Sequence, residues 1–154
     1  MPIIYANTQD GYVLRSNQSS WSDARNNSSG TGSSSVISST SVGVSAYRIA
    51  ARGGGNVYNI FRSFFYFDTS GISANVDTAT LQIRGAGLST GDLIALKATS
   101  DISTLGTADY EAIVGWDSSG TDGSGGGDME SSVTKYSDEI TTWNSAAYNN
   151  ITLN

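Results

Sequence analysis

The hydrophobic positions along the chain alternate with polar ones over short segments, as in β-strands that bury one face. In residues 78–85, Ala79, Leu81 and Ile83 share one face, and polar side chains occupy most of the other. Comparable segments lie at residues 11–16, 40–50, 92–98, 109–116, 132–140 and 149–154. Clusters of Gly, Ser, Asn and Asp separate them. The pattern predicts an all-β protein, a jelly-roll-like β-sandwich that forms a single domain over residues 1–154.

Helical periodicity is weak throughout the sequence. Residues 22–30 are compatible with one helical turn, and residues 107–116 with a short helix capped by Thr107 or with a strand. Two Gly- and Ser-rich segments, Asn26–Ser35 and Asp117–Asp128, have almost no side chains that would anchor a core. We therefore predict little helix and two long loops.

One segment, residues 61–72, contains all four phenylalanines of the chain. On a strand, Phe61 and Phe65 point to one side, whereas Phe64 and Tyr66 point to the other. A strand with apolar side chains on both faces is expected to be central in its sheet. In a sandwich one face meets the opposite sheet, so we expect a long loop or another subunit to cover Phe64 and Tyr66.

The composition changes the functional picture more than the fold. Of the 154 residues, only 14% are charged, against about 25% in an average domain, and the net charge is −6. No run of Lys or Arg occurs. Because binding to phosphate backbones and anionic membranes needs clustered positive charge, we expect no nucleic-acid and no membrane partner.

The chain contains no His and no Cys. Catalytic Ser-His-Asp and Cys-His arrangements, disulfides, zinc–thiolate sites and imidazole metal ligands are therefore excluded. Glycosidases need two carboxylates flanking the scissile bond, and no Asp or Glu pair is obviously placed for this role. We expect a protein that is not an enzyme, with no catalytic residue, no cofactor and no assigned metal ligand.

Two motifs have a binding interpretation and a simpler one. Residues 85–91, GAGLSTG, resemble a dinucleotide-binding turn, but a strand pattern follows where that motif needs a helix, which favours a hairpin connection. The loop Asp117–Asp128 offers Asp117, Asp122 and Asp128 as calcium ligands without the EF-hand spacing. We expect a solvated loop and leave calcium binding open.

Several isolated side chains also have two interpretations. Arg62 and Asp68 would lie about 20 Å apart on one face of an extended strand, so each is expected to pair with a neighbouring strand or loop backbone. Trp21, Trp116 and Trp143 are expected to be buried at the ends of the sandwich. Exposed on a groove, they would instead stack on sugar rings.

Residues 61–85, FRSFFYFDTSGISANVDTATLQIRG, resemble the signature of the DNRLRE-type domain, a β-sandwich also called disaggregatase-related. The resemblance is carried by Arg62, Ser63, Phe67, Asp68, Ser70, Ile72, Thr78, Ala79, Thr80 and Leu81. The DGYV, WSDAR and SAAYNNITLN segments resemble a subgroup that we associate with structural proteins of tailed phages. Members of the family occur as carbohydrate-binding or adhesion modules and as virion proteins.

The virion setting is the one that the resemblance favours here, because the sequence begins at Met1 without a secretory signal. We expect a phage capsid decoration or cement protein, made in the host cytoplasm and located in the virion. Its expected partners are the major capsid protein and copies of itself, as a trimer. The alternative is a carbohydrate-binding or host-adhesion module, such as part of a tail fibre, with a glycan as ligand.

Similar chains continue past the final strand with further strands, whereas this sequence stops at Asn154. We therefore expect either that a partner supplies the closing strand or that this sequence is a shortened variant. An open sheet edge is a template for pairing with another chain and favours oligomeric assembly.

Overall fold

The structure is a computed structural model that describes residues 3–6, 10–26, 33–37, 43–86, 93–99, 105–116 and 133–154, with backbone only at 33–37. Its elements are β1 (Gly11–Gln18), α1 (Trp21–Asn26), β2 (Ser33–Ile37), β3 (Ser45–Ala50), β4 (Asn56–Phe64), β5 (Ala79–Arg84), a 3₁₀ helix (Thr107–Glu111) and β6 (Tyr148–Leu153). The strands form two antiparallel sheets, and the protein is all-β as predicted. The finer jelly-roll arrangement stays a prediction.

The larger sheet has four strands in the order β2-β1-β4-β3. β4 lies between β1 and β3, which confirms that the strand containing Phe61 and Phe64 is central. The pairing of β1 with β4 is irregular between Arg15 and Gln18, where Asn17 has a φ of 58°. Asn tolerates this left-handed conformation better than most residues do, so the sequence suits the bulge.

A tight connection joins β3 to β4 at residues 51–55. Gly53, Gly54 and Gly55 have φ angles of 107°, 99° and 84°, a region that residues with a Cβ rarely adopt. The N–H of Ala51 donates a hydrogen bond to the carbonyl oxygen of Gly55 at 3.2 Å. The three glycines thus let the chain reverse directly into β4 and keep the two strands in register.

The smaller sheet pairs β5 with β6 over their full lengths. Leu81 and Ile83 are half-buried while Thr80, Gln82 and Arg84 are exposed, which confirms the alternation except at Ala79, an exposed residue on the same face as Leu81. Ile151, opposite Leu81 on β6, is buried. The alternation of apolar and polar residues therefore predicts both the strand β5 and the buried face with Leu81 and Ile83.

The core lies against one face of the four-stranded sheet, which we call the inner face. It contains Val13, Ala24, Ile60, Phe64, Leu105 and Tyr110, with Trp21, Tyr58 and Ala98 packed against it. The described cover comes from α1, from residues 105–110 and from Ala98, where the sequence had suggested an opposite sheet. Phe64 is only 8% exposed and Tyr66 is half-buried, so the expected burial is confirmed, but within the described ranges Phe64 is covered by α1 and residues 105–110 in the core and not by a long loop or another subunit.

The sequence around α1 explains its start. The Ser20 hydroxyl accepts a hydrogen bond from the N–H of Asp23 at 3.0 Å and donates to the Asp23 carboxylate at 2.7 Å. This reciprocal cap satisfies an amide that no helical carbonyl reaches. The predicted turn in residues 22–30 is thus confirmed as a helix over Trp21–Asn26.

Four local predictions were wrong. Residues 92–98 were predicted as a strand joined to β5 by a hairpin, but the described residues make single bridges from Leu93 to Ile140, Leu96 to Lys135 and Ala98 to Ile113. Two of these bridges reach segment 133–140 and the third reaches Ile113, and isolated bridges do not make a ladder. β5 pairs with β6 instead. The described part of segment 132–140 lacks a strand for the same reason.

The other two errors concern element ends. The 3₁₀ helix is preceded by Gly106 rather than capped by Thr107, and the Gly106 N–H donates to the Asp109 carboxylate at 2.7 Å. Part of the predicted loop Asn26–Ser35 is regular, because α1 ends at Asn26 and β2 begins at Ser33. Ser-rich β2 has little apolar signal, so its pairing with β1 was not readable from the sequence.

Candidate functional site

The face of the four-stranded sheet opposite the core, which we call the outer face, is exposed along β3 and half-buried or buried along β1 and β4 in the described residues. The strand registers place its described side chains as follows: Tyr12 and Leu14 on β1; Val57, Asn59, Phe61 and Ser63 on β4; Ser45, Tyr47 and Ile49 on β3. Each of these side chains is uncharged. Tyr47 and Ile49 are 43% and 48% exposed, which is high for apolar side chains that lie side by side.

Three aromatic rings form a row across this face. The Phe61 ring lies with its centroid 5.7 Å from that of Tyr12 and 6.1 Å from that of Tyr47. The Tyr47 ring is nearly parallel to it, at 23°. Diagonal cross-strand pairs of this kind stabilise a sheet by roughly 0.2–1 kcal/mol each. The row therefore connects β1, β4 and β3 and gives the outer face a stiff aromatic surface.

A buried amide lies within the same face. Asn59 is opposite Tyr47 and almost fully buried, and its Oδ1 accepts a hydrogen bond from the Asn17 N–H at 3.0 Å. Among the described residues its Nδ2 has no acceptor. At the margin of the face, Ser63 Oγ donates to the Gly43 carbonyl at 2.8 Å. These bonds hold the segments that flank the aromatic row.

On the inner side, the Arg62 side chain contacts two aromatic rings and two backbone carbonyls. Its guanidinium carbon lies 4.0 Å from the centroid of the Tyr110 ring and 4.2 Å from that of Trp116. Nη1 donates to the Tyr110 carbonyl, and Nη2 donates to the Arg25 carbonyl at 2.9 Å. One side chain thus ties the central strand to α1 and to the 3₁₀ helix, so the partners of Arg62 are helix carbonyls and not the neighbouring strand or loop backbone that the sequence suggested.

The burial of this cluster shifts its ionisation. Desolvation lowers the pKa of Arg62, and the nearby Tyr110 and Glu111 oppose that shift. Desolvation raises the pKa of Tyr110 to about 12, although the positive charges of Arg62 and Arg15 act against it. The Tyr110 hydroxyl donates to the Ala24 carbonyl, a bond that only the neutral phenol makes. The shifted pKa values of Arg62 and Tyr110 are therefore explained by burial and by the contacts that hold the core together.

Asp10 and Asp68 flank the aromatic segment in different ways. Asp10 accepts a hydrogen bond from the Tyr66 N–H at 2.9 Å, which replaces sheet pairing just after β4 ends at Phe64. Burial raises the pKa of Asp10, and the Tyr66 bond offsets part of that rise. Asp68 lies beyond β4, so its predicted place on the strand with Arg62 is wrong. It is exposed and accepts from the Ser70 hydroxyl and N–H, which lower its pKa.

A second surface feature lies at the end of the small sheet. A shallow depression of about 440 Å³ is lined by Thr142, Trp143, Asn144, Ser145 and Asn149. Asn149 shapes it, because its side chain accepts from the Asn144 N–H at 2.8 Å and donates to the Asn144 carbonyl at 2.9 Å. Trp143 and neutral polar groups are the combination that sugar-binding surfaces use.

The remaining candidates from the sequence are the three tryptophans and the Asp-containing loop. All three tryptophans are half-buried, with Trp21 edge-on to Tyr58 at 6.1 Å between centroids and Trp116 under Arg62. The calcium-binding interpretation of Asp117–Asp128 lies outside the described residues. Within the described residues, no three Asp or Glu side chains form a cluster that would hold a metal ion. None of the helices there has the length and apolarity to cross a membrane.

Sequence reasoning identified the two-faced aromatic strand but missed the outer face as a surface. The sequence does contain a signal for this surface, because apolar residues lie two positions apart in two places, Tyr12 and Leu14 on β1 and Tyr47 and Ile49 on β3. Placing these pairs beside Phe61 requires the strand order, which the sequence does not specify.

Comparisons of the chain with protein-family models, with curated proteins and with solved structures find no match. The resemblance of residues 61–85 to DNRLRE-type domains therefore stays a prediction.

Proposed function

We propose that this protein is a non-enzymatic structural protein of a phage virion, a capsid decoration or cement protein that binds the assembled shell as an oligomer. The observation that carries the proposal is the outer face, an uncharged surface with a stacked aromatic row and two apolar side chains near half exposure. Cores of protein–protein interfaces are depleted in charge and enriched in Tyr and Phe. This face has the composition of such a core.

The mechanism is binding energy without chemistry. A protein that binds an assembled shell, and not its dissociated subunits, shifts the assembly equilibrium toward the shell. Burial of apolar surface contributes about 25 cal/mol per Å² of area removed from water. The outer face is suited to this role because its rings are held in place before binding, so little side-chain entropy is lost on docking.

The test is co-sedimentation of the purified protein with capsid shells that lack it. We expect the protein to pellet with the shells and to raise their resistance to heat. Tyr12→Lys, which puts a charge on the outer face, should weaken shell binding. The matched control is Tyr148→Lys, since Tyr148 is 62% exposed on β6 and belongs to the other sheet.

Failure of the native protein to associate with the shells would refute the proposed function. Equal binding by Tyr12→Lys and by the native protein would show that the outer face is not the contact.

A carbohydrate-binding module is the second candidate, and the Trp143 depression is the observation that favours it. Sugars bind by stacking their apolar faces on aromatic rings and by hydrogen bonds to neutral polar groups. A glycan array would then give hits that Trp143→Ala abolishes and Trp21→Phe leaves unchanged. An array without hits removes this candidate, and hits without shell binding would replace the first candidate by the second.

A further inference from the structure

The strand β3 ends the four-stranded sheet, and all six of its residues are exposed. It pairs with β4 in an unbroken register from Ser45 to Ala50. We propose that the free edge of β3 pairs antiparallel with β3 of a second copy of this chain, across a twofold axis at Tyr47. The proposal deepens the proposed function, on whose self-association it rests, and names the surface that performs it.

Among the described residues, β3 has few of the features by which proteins protect sheet edges. Such edges carry charged side chains, Pro or a bulge, or are covered by other parts of the chain. The sequence of β3, SAYRIA, contains no Pro, its pairing with β4 has no bulge, and its single charged side chain is Arg48 on the inner side. Its exposed outer-face side chains, Tyr47 and Ile49, have high β-propensity. A regular edge with one charge is a template for another strand.

Charge selects the register of the self-pairing. The twofold axis requires outer-face residues of one copy to lie opposite outer-face residues of the other, which leaves two registers with the largest overlap. In one, residues 46–50 pair and Arg48 lies opposite Arg48 of the second copy, which like-charge repulsion disfavours. In the other, residues 45–49 pair, Tyr47 lies opposite its own copy, and Arg48 lies opposite Ala46. The second register places two aromatic rings together at the axis.

The self-complementary pattern of β3 favours a second copy as the occupant, because the 45–49 register places no two like charges opposite each other. The chain carries a net charge of −6, so two copies repel at long range, and acidic groups within the contact would add to that repulsion. β3 contains no acidic residue, and its single charge, Arg48, lies on the inner side. A basic partner would find no complementary carboxylate on this strand.

Edge pairing also preserves the surface proposed for shell binding. With the axis perpendicular to the sheet, the outer faces of both copies point the same way and form one continuous surface of eight strands. Tyr47 and Phe61 of each copy would lie near its centre. The contact is twofold and produces a dimer, whereas the trimer expected from the sequence would need a different contact.

The first experiment measures mass in solution by sedimentation or light scattering. We expect a concentration-dependent dimer, and Tyr47→Lys should weaken it by at least about tenfold because two ammonium groups would meet at the axis. Val57→Lys is the matched control, since Val57 shares the outer face but lies on β4, away from the edge. It should remain dimeric. A monomer or a trimer for the native protein would overturn the proposal.

The second experiment uses the absence of cysteine from the chain. Any disulfide in a single-cysteine variant must join two copies, so mild oxidation reports the register directly. Tyr47→Cys should cross-link at least about tenfold faster than Arg48→Cys or Ile49→Cys, because only position 47 faces itself within bonding distance. Fastest cross-linking at position 48 would establish the other register and contradict the proposed axis.

These results separate the proposal from the proposed function. A monomeric native protein that still pellets with shells would refute the β3 pairing and keep the shell role. A dimer that cross-links at position 47 but does not sediment with shells would support the β3 pairing and refute the shell role.

Discussion

At the scale of single residues, Arg62 shows how a cation is accommodated inside a protein with few charges. Two aromatic rings lie within 4.2 Å of its guanidinium carbon, and two backbone carbonyls accept its N–H groups. Within the described part of the chain, rings and carbonyls solvate the planar charge without a carboxylate in hydrogen-bond contact. The geometry depends on a flat, forked donor, which Lys does not provide.

Arg62→Lys should therefore destabilise the protein although the charge is kept. We expect a loss of about 1–3 kcal/mol in the free energy of unfolding, from one lost hydrogen bond and weaker ring contacts. Urea denaturation measures the change. The control is Arg52→Lys, in the exposed turn between β3 and β4. Equal stability of the two variants would mean that the Arg62 contacts are not stabilising.

Tyr110 makes stability depend on alkaline pH. Its pKa is raised to about 12 in the folded protein, above the ordinary value of 10.0. Below pH 10 both states keep the proton, so the contribution is fully present. As pH rises from about 10 toward 12, the unfolded chain loses the proton first, so the contribution of Tyr110 is lost progressively.

We expect the stability advantage of the native protein over Tyr110→Phe to shrink between pH 8 and pH 11.5, by at most about 2–3 kcal/mol. Denaturation of both proteins at each pH measures it. Tyr5→Phe, at an exposed tyrosine, is the control for the substitution itself. A constant difference between the native protein and Tyr110→Phe would contradict the burial argument.

At the scale of elements, a close approach at the end of β5 defines the connection between the small sheet and residues 143–144. Gly85 is buried, and a Cβ placed there would lie 2.0 Å from the Asn144 carbonyl oxygen and 2.8 Å from Trp143 Nε1. A backbone atom does not move aside as a flexible side chain does. Only glycine fits at this position.

Gly85→Ala should cost at least about 1–3 kcal/mol of stability, as overpacking does elsewhere, and should disturb the Trp143 depression. Thermal unfolding and the fluorescence of Trp143 measure the two effects. Gly71→Ala is the matched control, because a Cβ at Gly71 meets nothing within 4 Å. If Gly85→Ala unfolds at the temperature of its control, residues 143–144 do not pack on β5 as described.

The elements that the sequence predicted correctly are those whose pattern is local. β1, β4 and β5 alternate apolar and polar residues, or carry aromatics on both faces, and each pattern follows from which faces are covered. Segment 93–98 was mispredicted because Leu93, Ile94 and Leu96 are all half-buried, so its apolar content arises from contacts with two distant segments. Such contacts leave no period in the sequence.

The candidate site was predictable only in part, for a related reason. The sequence indicated that Phe61 and Phe64 face opposite ways, and the structure confirms it. Which side receives the cover depends on α1 and residues 105–110, whose docking is non-local. The aromatic row across the outer face needs the strand order as well, and strand order is a property of the whole sheet.

At the scale of the whole molecule, net charge should govern the strength of the proposed dimer. Two chains of −6 repel over a distance of about 30 Å at 0.01 M salt and about 8 Å at 0.15 M. Because the β3 contact itself contains no opposite-charge pair, added salt screens only the repulsion. Dimerisation should strengthen over this range, as sedimentation equilibrium would show. Weakening by salt would indicate a contact held by ion pairs.

The pairing of β5 with β6 also constrains when the protein finishes folding. Gln82 donates a hydrogen bond to Asn150, a residue made 68 positions later. During synthesis, β5 therefore leaves the ribosome long before its partner exists, whereas β1, β3 and β4 already have one another. The four-stranded sheet is able to assemble while the chain is still growing, and the last stretch completes the fold only after residues 148–153 have emerged.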